Sequence, residues 1–124
     1  MSRISVASAK AKGRELQKWV CEWVSKITNE PWGKDAEIES RPMGQSGVDV
    51  RIHPRLLKIF PYSIECKRQE KWAVHEWIKQ AQANQLPGTH WLLVARSSRM
   101  APVVILDAEH FFGVLEKLNN DRPA

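Results

Sequence analysis

Residues 62–67, Tyr-Ser-Ile-Glu-Cys-Lys, read as a strand and constrain the chain more than any other segment. Strand side chains alternate faces. Glu65 and Lys67 therefore share one face, and Ile64 and Cys66 share the other. An acid and an amine two apart on one face of a buried strand need something charged between them. Upstream, in Gly47-Val48-Asp49-Val50, the two valines point into a core and send Asp49 the opposite way. The connection between the two stretches carries Pro54 and Pro61 at its ends, where regular pairing stops. A hairpin centred near Leu57 sets Asp49 and Glu65 opposite each other, with Cβ atoms roughly 4.5–5.5 Å apart. Two carboxylates at that separation suit one divalent cation bound through oxygen, as Mg²⁺ is bound by one or two carboxylates, waters and a substrate phosphate. Lys67 then lies beside the ion, placed to stabilise developing negative charge or orient a water. Taken singly, each of the three is most simply a solvated side chain in a weak ion pair. As a set at this spacing they favour a site.

The rest of the chain is read in order. Ser5 or Ser8 can cap a first helix. Leu16, Trp19, Val20, Trp23, Val24 and Ile27 form its apolar stripe, the clearest periodic signal present. Its end is expected near Thr28-Asn29, before Glu30-Pro31. Residues 35–40 read as a strand with Ile38 inward. Residues 41–47 carry Gly44 and Gly47, which permit a tight connection leading to Asp49. Its amides and Ser46 suit a phosphate, or form a plain interstrand loop. After Lys67, the residues Arg68-Gln69-Glu70-Lys71 lead to a second helix with Val74, Trp77, Ile78 and Ala81 on its apolar face. Residues 91–95 are continuously apolar, the mark of a central strand covered on both faces. Arg96 and Arg99 fall in a turn, where they either grip phosphates or stay solvated. Residues 103–106 are a further strand. Asp107 caps a last helix with Phe111, Leu115 and Leu118 toward the core. Residues 1–7 and 119–124 read as frayed tails. The whole is one α/β domain, 1–124, in the order α-β-β-β-α-β-β-α: a mixed sheet of about five strands between helices.

At 124 residues, one core is all the chain can build. The formal net charge of +5 favours a polyanionic partner without requiring one. Cys21 falls in the helical pattern and Cys66 on the core face of the strand, so neither belongs to a disulfide or zinc framework. Reduced thiols in a cytoplasm are the simplest reading. No apolar run approaches a membrane span, and no secretory signal pattern opens the sequence.

Gly-x-Asp-Val, a gap, and then apolar-Glu-x-Lys resembles the PD-(D/E)XK nuclease superfamily, which contains many restriction enzymes and archaeal-type Holliday-junction resolvases. The resemblance spans roughly residues 12–112. It departs from the literal motif before Asp49, where Val48 stands in place of Pro. It implies a restriction-endonuclease-like core, with Asp49 as first metal ligand, Glu65 as second, the Cys66 backbone carbonyl as main-chain ligand and Lys67 as catalytic lysine. The segment Lys12-Gly13-Arg14-Glu15-Leu16 resembles the first-helix motif of resolvase-like members, which implies that Glu15 completes the metal site. The alternative is an ordinary surface acid in an early helical turn. Gln80 matches a glutamine that phage-encoded branches carry after the Glu-x-Lys strand, where it positions a water or phosphate; otherwise it is a solvent-facing amide.

The function so implied is a Mg²⁺- or Mn²⁺-dependent DNA endonuclease. One small domain without a separate recognition module points to a structure-specific enzyme that cuts branched DNA; a two-fold junction would suit a homodimer, and the resemblance to phage-encoded members implies a phage or prophage origin. Arg68, Lys71, Arg96 and Arg99 are expected at the DNA backbone. The alternatives are a restriction- or nicking-type nuclease, or a non-catalytic basic nucleic-acid-binding module.

Overall fold

The computed structural model describes residues 5–42 and 47–123. Helix α1 spans Val6–Thr28. Ser5 is its cap: the hydroxyl oxygen accepts the Ser8 N–H at 3.1 Å, satisfying a donor the helix cannot. The helix therefore starts inside the segment expected to fray. It stops at Asn29, which turns left-handed at φ 59°.

Five strands follow: β1 (Ile38–Ser40), β2 (Val50–Ile52), β3 (Tyr62–Arg68), β4 (His90–Arg96) and β5 (Val103–Ile105). They form one mixed sheet in sequence order, antiparallel except for the parallel β3–β4 pair. A parallel pair needs a crossover, and α2 (Val74–Ala83) supplies it. The last helix, α3, runs Ala108–Asn120 from an Asp107 cap, so its last two residues lie in the expected tail. The fold is thus α/β with the expected order of elements.

The two faces of the sheet are covered by different helices. On one face α1 packs Leu16, Val20, Cys21 and Val24 against Ile38, Val50, Ile52, Ile64 and Val94. On the other, Trp77 of α2 meets Leu93 and Ala95, with Trp91, Val74 and Ile78 beside them. β4 sends alternate side chains to both cores, which is why it is continuously apolar. Among the described residues no helix is long and apolar enough to cross a membrane.

Two expected core faces differ. The buried line of α1 runs through Gly13, Leu16, Gln17, Val20, Cys21, Val24 and Thr28, while Trp19, Trp23 and Ile27 are exposed. The helix is rotated toward Gln17 and Cys21 because Gln17 has a partner inside: its Oε1 accepts the Ser40 hydroxyl at 2.7 Å. A buried amide so satisfied is tolerated. α3 buries none of its residues; Phe111, Leu115 and Leu118 are exposed. It is attached at its first turn, where His110 shares a 2.7 Å hydrogen bond with the Tyr62 hydroxyl and stacks on His90.

Candidate active site

The β2–β3 pairing sets Val50 against Ile64, the register that a turn centred at Leu57 demands. Asp49 immediately precedes β2, and its N–H donates to the Ile64 carbonyl at 3.0 Å. Its carboxylate crosses to β3, where Oδ2 accepts the Cys66 N–H at 2.7 Å. Cys66 follows Glu65 on β3, so this bond sets the Asp49 carboxyl beside that of Glu65, near enough for each acid to influence the other. Lys67 lies on the same face of β3 and donates from Nζ to Gln80 Oε1 at 2.6 Å. One turn further along α2, Asn84 donates to Glu65 Oε1 at 2.7 Å and to the Gly47 carbonyl at 3.4 Å. Residues four apart on a helix share a face, so Gln80 and Asn84 meet Lys67 and Glu65 from one side.

Glu65 is 2% exposed. Burial pushes its carboxyl up to about 7, against the Asn84 hydrogen bond, and the neighbouring Asp49 charge pushes it the same way. Asp49 is also raised by burial, held back by the Cys66 N–H and by the charges of Lys67 and Arg41. The pair therefore retains a proton near neutral pH, since two adjacent buried carboxyls resist ionising together. A divalent cation relieves the same repulsion, and the donors are the hard oxygens that Mg²⁺ and Mn²⁺ prefer. The donor set fits such an ion. Among the described residues no group of three or more His, Cys, Asp and Glu side chains converges to hold one.

Glu15 accordingly does not complete the site. α1 covers the face of the sheet away from Glu65 and Lys67, and Glu15 lines a separate recess with Lys12, Leu16, Trp19, Arg68 and Arg96. Gln80 does join the site, through Lys67. Cys66 contributes its backbone N–H to Asp49, while its side chain packs against the α1 core. Arg68 and Arg96 sit side by side at the ends of β3 and β4, on the α1 face. Lys71 is exposed, and Arg99 is an exposed turn residue at φ 63°. Ser46, expected at a phosphate, lies outside the described residues.

Two contributors escaped the sequence reading. Asn84 is one helical turn beyond Gln80, so the spacing that flagged one could have flagged the other. Arg41 donates its N–H to the Asp49 carbonyl at 2.9 Å, extending the Ile38–Ile52 and Ser40–Val50 register. Pairing β1 with β2 from the sequence would have placed it opposite Asp49. No family model, curated protein or solved structure matches this chain.

Proposed function

We propose that the protein is a divalent-metal-dependent DNA endonuclease that hydrolyses phosphodiester bonds, structure-specific in the manner of PD-(D/E)XK resolvases. The observation that carries this reading is the Asp49–Glu65 pair: two acids on neighbouring chain segments, both raised by burial, with Lys67 on the same face of β3. An ion pair with no function gains little from such an arrangement. Burying an acid whose charge is resisted is a stability cost that proteins accept at sites of chemistry.

Asp49 and Glu65 are the residues that would hold the cation, which when bound supplies Lewis-acid polarisation of the phosphoryl oxygens and favours ionisation of water. The Cys66 N–H and Asn84 fix the two carboxylates, so each keeps an oxygen orientation set by the fold. Lys67 puts a positive charge where negative charge develops on the phosphoryl group, and Gln80 holds its amine by one end. Arg41, on the far side of Asp49, adds positive charge near the same centre. A two-fold branched junction suits a homodimer, with the exposed apolar side chains of α3 as the surface for self-association.

The test is incubation of purified protein with four-way junctions, nicked duplexes, linear duplexes and single strands, with Mg²⁺ or Mn²⁺ and with chelator. Metal-dependent cuts in the branched substrate, absent in Asp49→Ala and Lys67→Ala proteins that still fold, are expected. Intact DNA in every wild-type reaction would overturn the reading.

A further inference from the structure

The N-terminal half of α1 crosses the carboxyl ends of β3 and β4, and a recess of about 240 Å³ opens there. Its walls are Lys12, Glu15, Leu16, Trp19, Arg68 and Arg96. This lies on the sheet face opposite the carboxylate pair. Arg68 and Arg96 are register neighbours on adjacent parallel strands. Like charges so placed repel and are stable only where something answers them. Arg68, its side chain 11% exposed, is partly answered: Nη1 reaches Glu70 at 3.3 Å and Nη2 reaches the Ser98 hydroxyl at 3.2 Å. The Ser98 hydroxyl and N–H also hold Glu70, and these bonds keep the Glu70 carboxyl down to about 2. Arg96 is oriented by its Nε, which donates to the Met100 carbonyl at 3.0 Å. With Lys12 the rim carries an excess of positive charge over Glu15 and Glu70. Trp19 supplies a flat wall. It is 40% exposed, and Trp23 steadies its ring edge-to-face at a centroid distance of 6.3 Å.

An indole beside a cluster of cations suits a planar ring carrying a phosphate. The volume admits one nucleotide and not a duplex. We propose that this recess binds one unpaired nucleotide of a single-stranded segment, its base stacked on Trp19 and its phosphate held by Lys12, Arg68 and Arg96. Stacking of a base on an aromatic ring is sequence-tolerant. Glu15 can accept from a donor on the exposed edge of an unpaired base, the N4 amine of cytosine or the N3–H of thymine alike, so it sets no preference between them. Arg68 is three residues beyond Glu65 on β3 and so on the other face, which means that a strand touching both must pass round the carboxyl end of β3. As to substrate class, the proposal rests on the endonuclease reading: it implies that the DNA that is cut carries an unpaired segment. Binding itself does not depend on that reading.

The experiment measures fluorescence anisotropy of labelled oligo(dC) and oligo(dT) with the full chain in EDTA, so the carboxylate pair plays no part. Expected are binding of both oligonucleotides by wild type and loss of about tenfold affinity in Trp19→Ala. Trp19→Phe should retain most of the affinity, since a ring remains. Arg96→Ala should weaken binding and lower the salt slope by about one. Equal binding by wild type, Trp19→Ala and Arg96→Ala, with circular dichroism unchanged, would overturn the proposal. So would a Trp19→Phe loss as large as that of Trp19→Ala. If Trp19-dependent binding holds while no DNA is ever cut, the nuclease reading fails and this one stands. Cleavage of branched DNA with no Trp19-dependent binding gives the converse.

Discussion

Asn84 Nδ2 donates to Glu65 Oε1 across 2.7 Å, joining the cap residue at the end of α2 to the middle of β3. The same nitrogen reaches the Gly47 carbonyl, so one amide ties the helix end, the buried acid and the approach to Asp49. Removing it leaves Glu65 buried with one donor fewer. Asn84→Ala is expected to lower stability by about 1–3 kcal/mol. The loss should be larger at pH 8 than at pH 5, because a hydrogen bond to an ionised acceptor is the stronger one. Urea denaturation at the two pH values measures this, and equal losses would show that the Asn84 contribution does not depend on the charge of Glu65.

A raised carboxyl makes stability depend on pH in a defined direction. Glu65 is pushed up to about 7 by burial, whereas an unfolded glutamate titrates near 4.3. Between those values the native state binds more protons than the unfolded state, so stability falls as pH rises through that window and levels off above it. The metal-free protein should lose on the order of 2–3 kcal/mol across this range. Mg²⁺, binding only the native state, should raise Tm more at pH 8 than at pH 5. Glu65→Gln should flatten the pH profile and abolish the Mg²⁺ response. Thermal melts with and without Mg²⁺ decide it: an unchanged Mg²⁺ response in Glu65→Gln would remove Glu65 from the metal site.

Lys67 and Gln80 form a second pair, joined at 2.6 Å. If Lys67 stabilises charge in the transition state, Lys67→Ala should slow cleavage by about 10²- to 10³-fold, the usual effect of losing one such group. Gln80 acts through Lys67 as a positioning residue. Gln80→Ala should therefore slow cleavage by only about tenfold, and its effect should vanish in a Lys67→Ala background. Single-turnover rates of the two single variants and the double variant give the coupling. Additive losses would mean that Gln80 contacts DNA independently of Lys67.

The sequence carried the register of the central hairpin because period-two alternation and a turn centre fix it together. Val50 does face Ile64, and Asp49 does meet Glu65. Gln80 was legible as the edge of an apolar helical stripe. Glu15 was misplaced because a helix stripe shows which residues pack but not which side of the sheet receives them. Trp19 and Trp23 looked like core for a related reason: hydropathy ranks indole above Gln17, and only the Ser40 hydroxyl explains why Gln17 lies inside. In α3 the pattern of Phe111, Leu115 and Leu118 is amphipathic, yet the fold offers that face no surface to cover it.

That last mismatch makes a prediction about where stability resides. Leu56 is 1% exposed in the α1-side core, and Leu118 is 60% exposed on α3. Leu56→Ala should lower stability by about 2–5 kcal/mol, because it opens a cavity among packed side chains. Leu118→Ala should change the isolated chain by less than about 0.5 kcal/mol, because water already covers that side chain. Denaturation at two protein concentrations separates the outcomes. A Leu118→Ala loss above about 1 kcal/mol at high concentration that disappears on dilution would mean that a second copy covers α3, as a homodimer requires. A loss of that size at every concentration would mean that α3 packs on its own chain, contrary to the exposure of its apolar face.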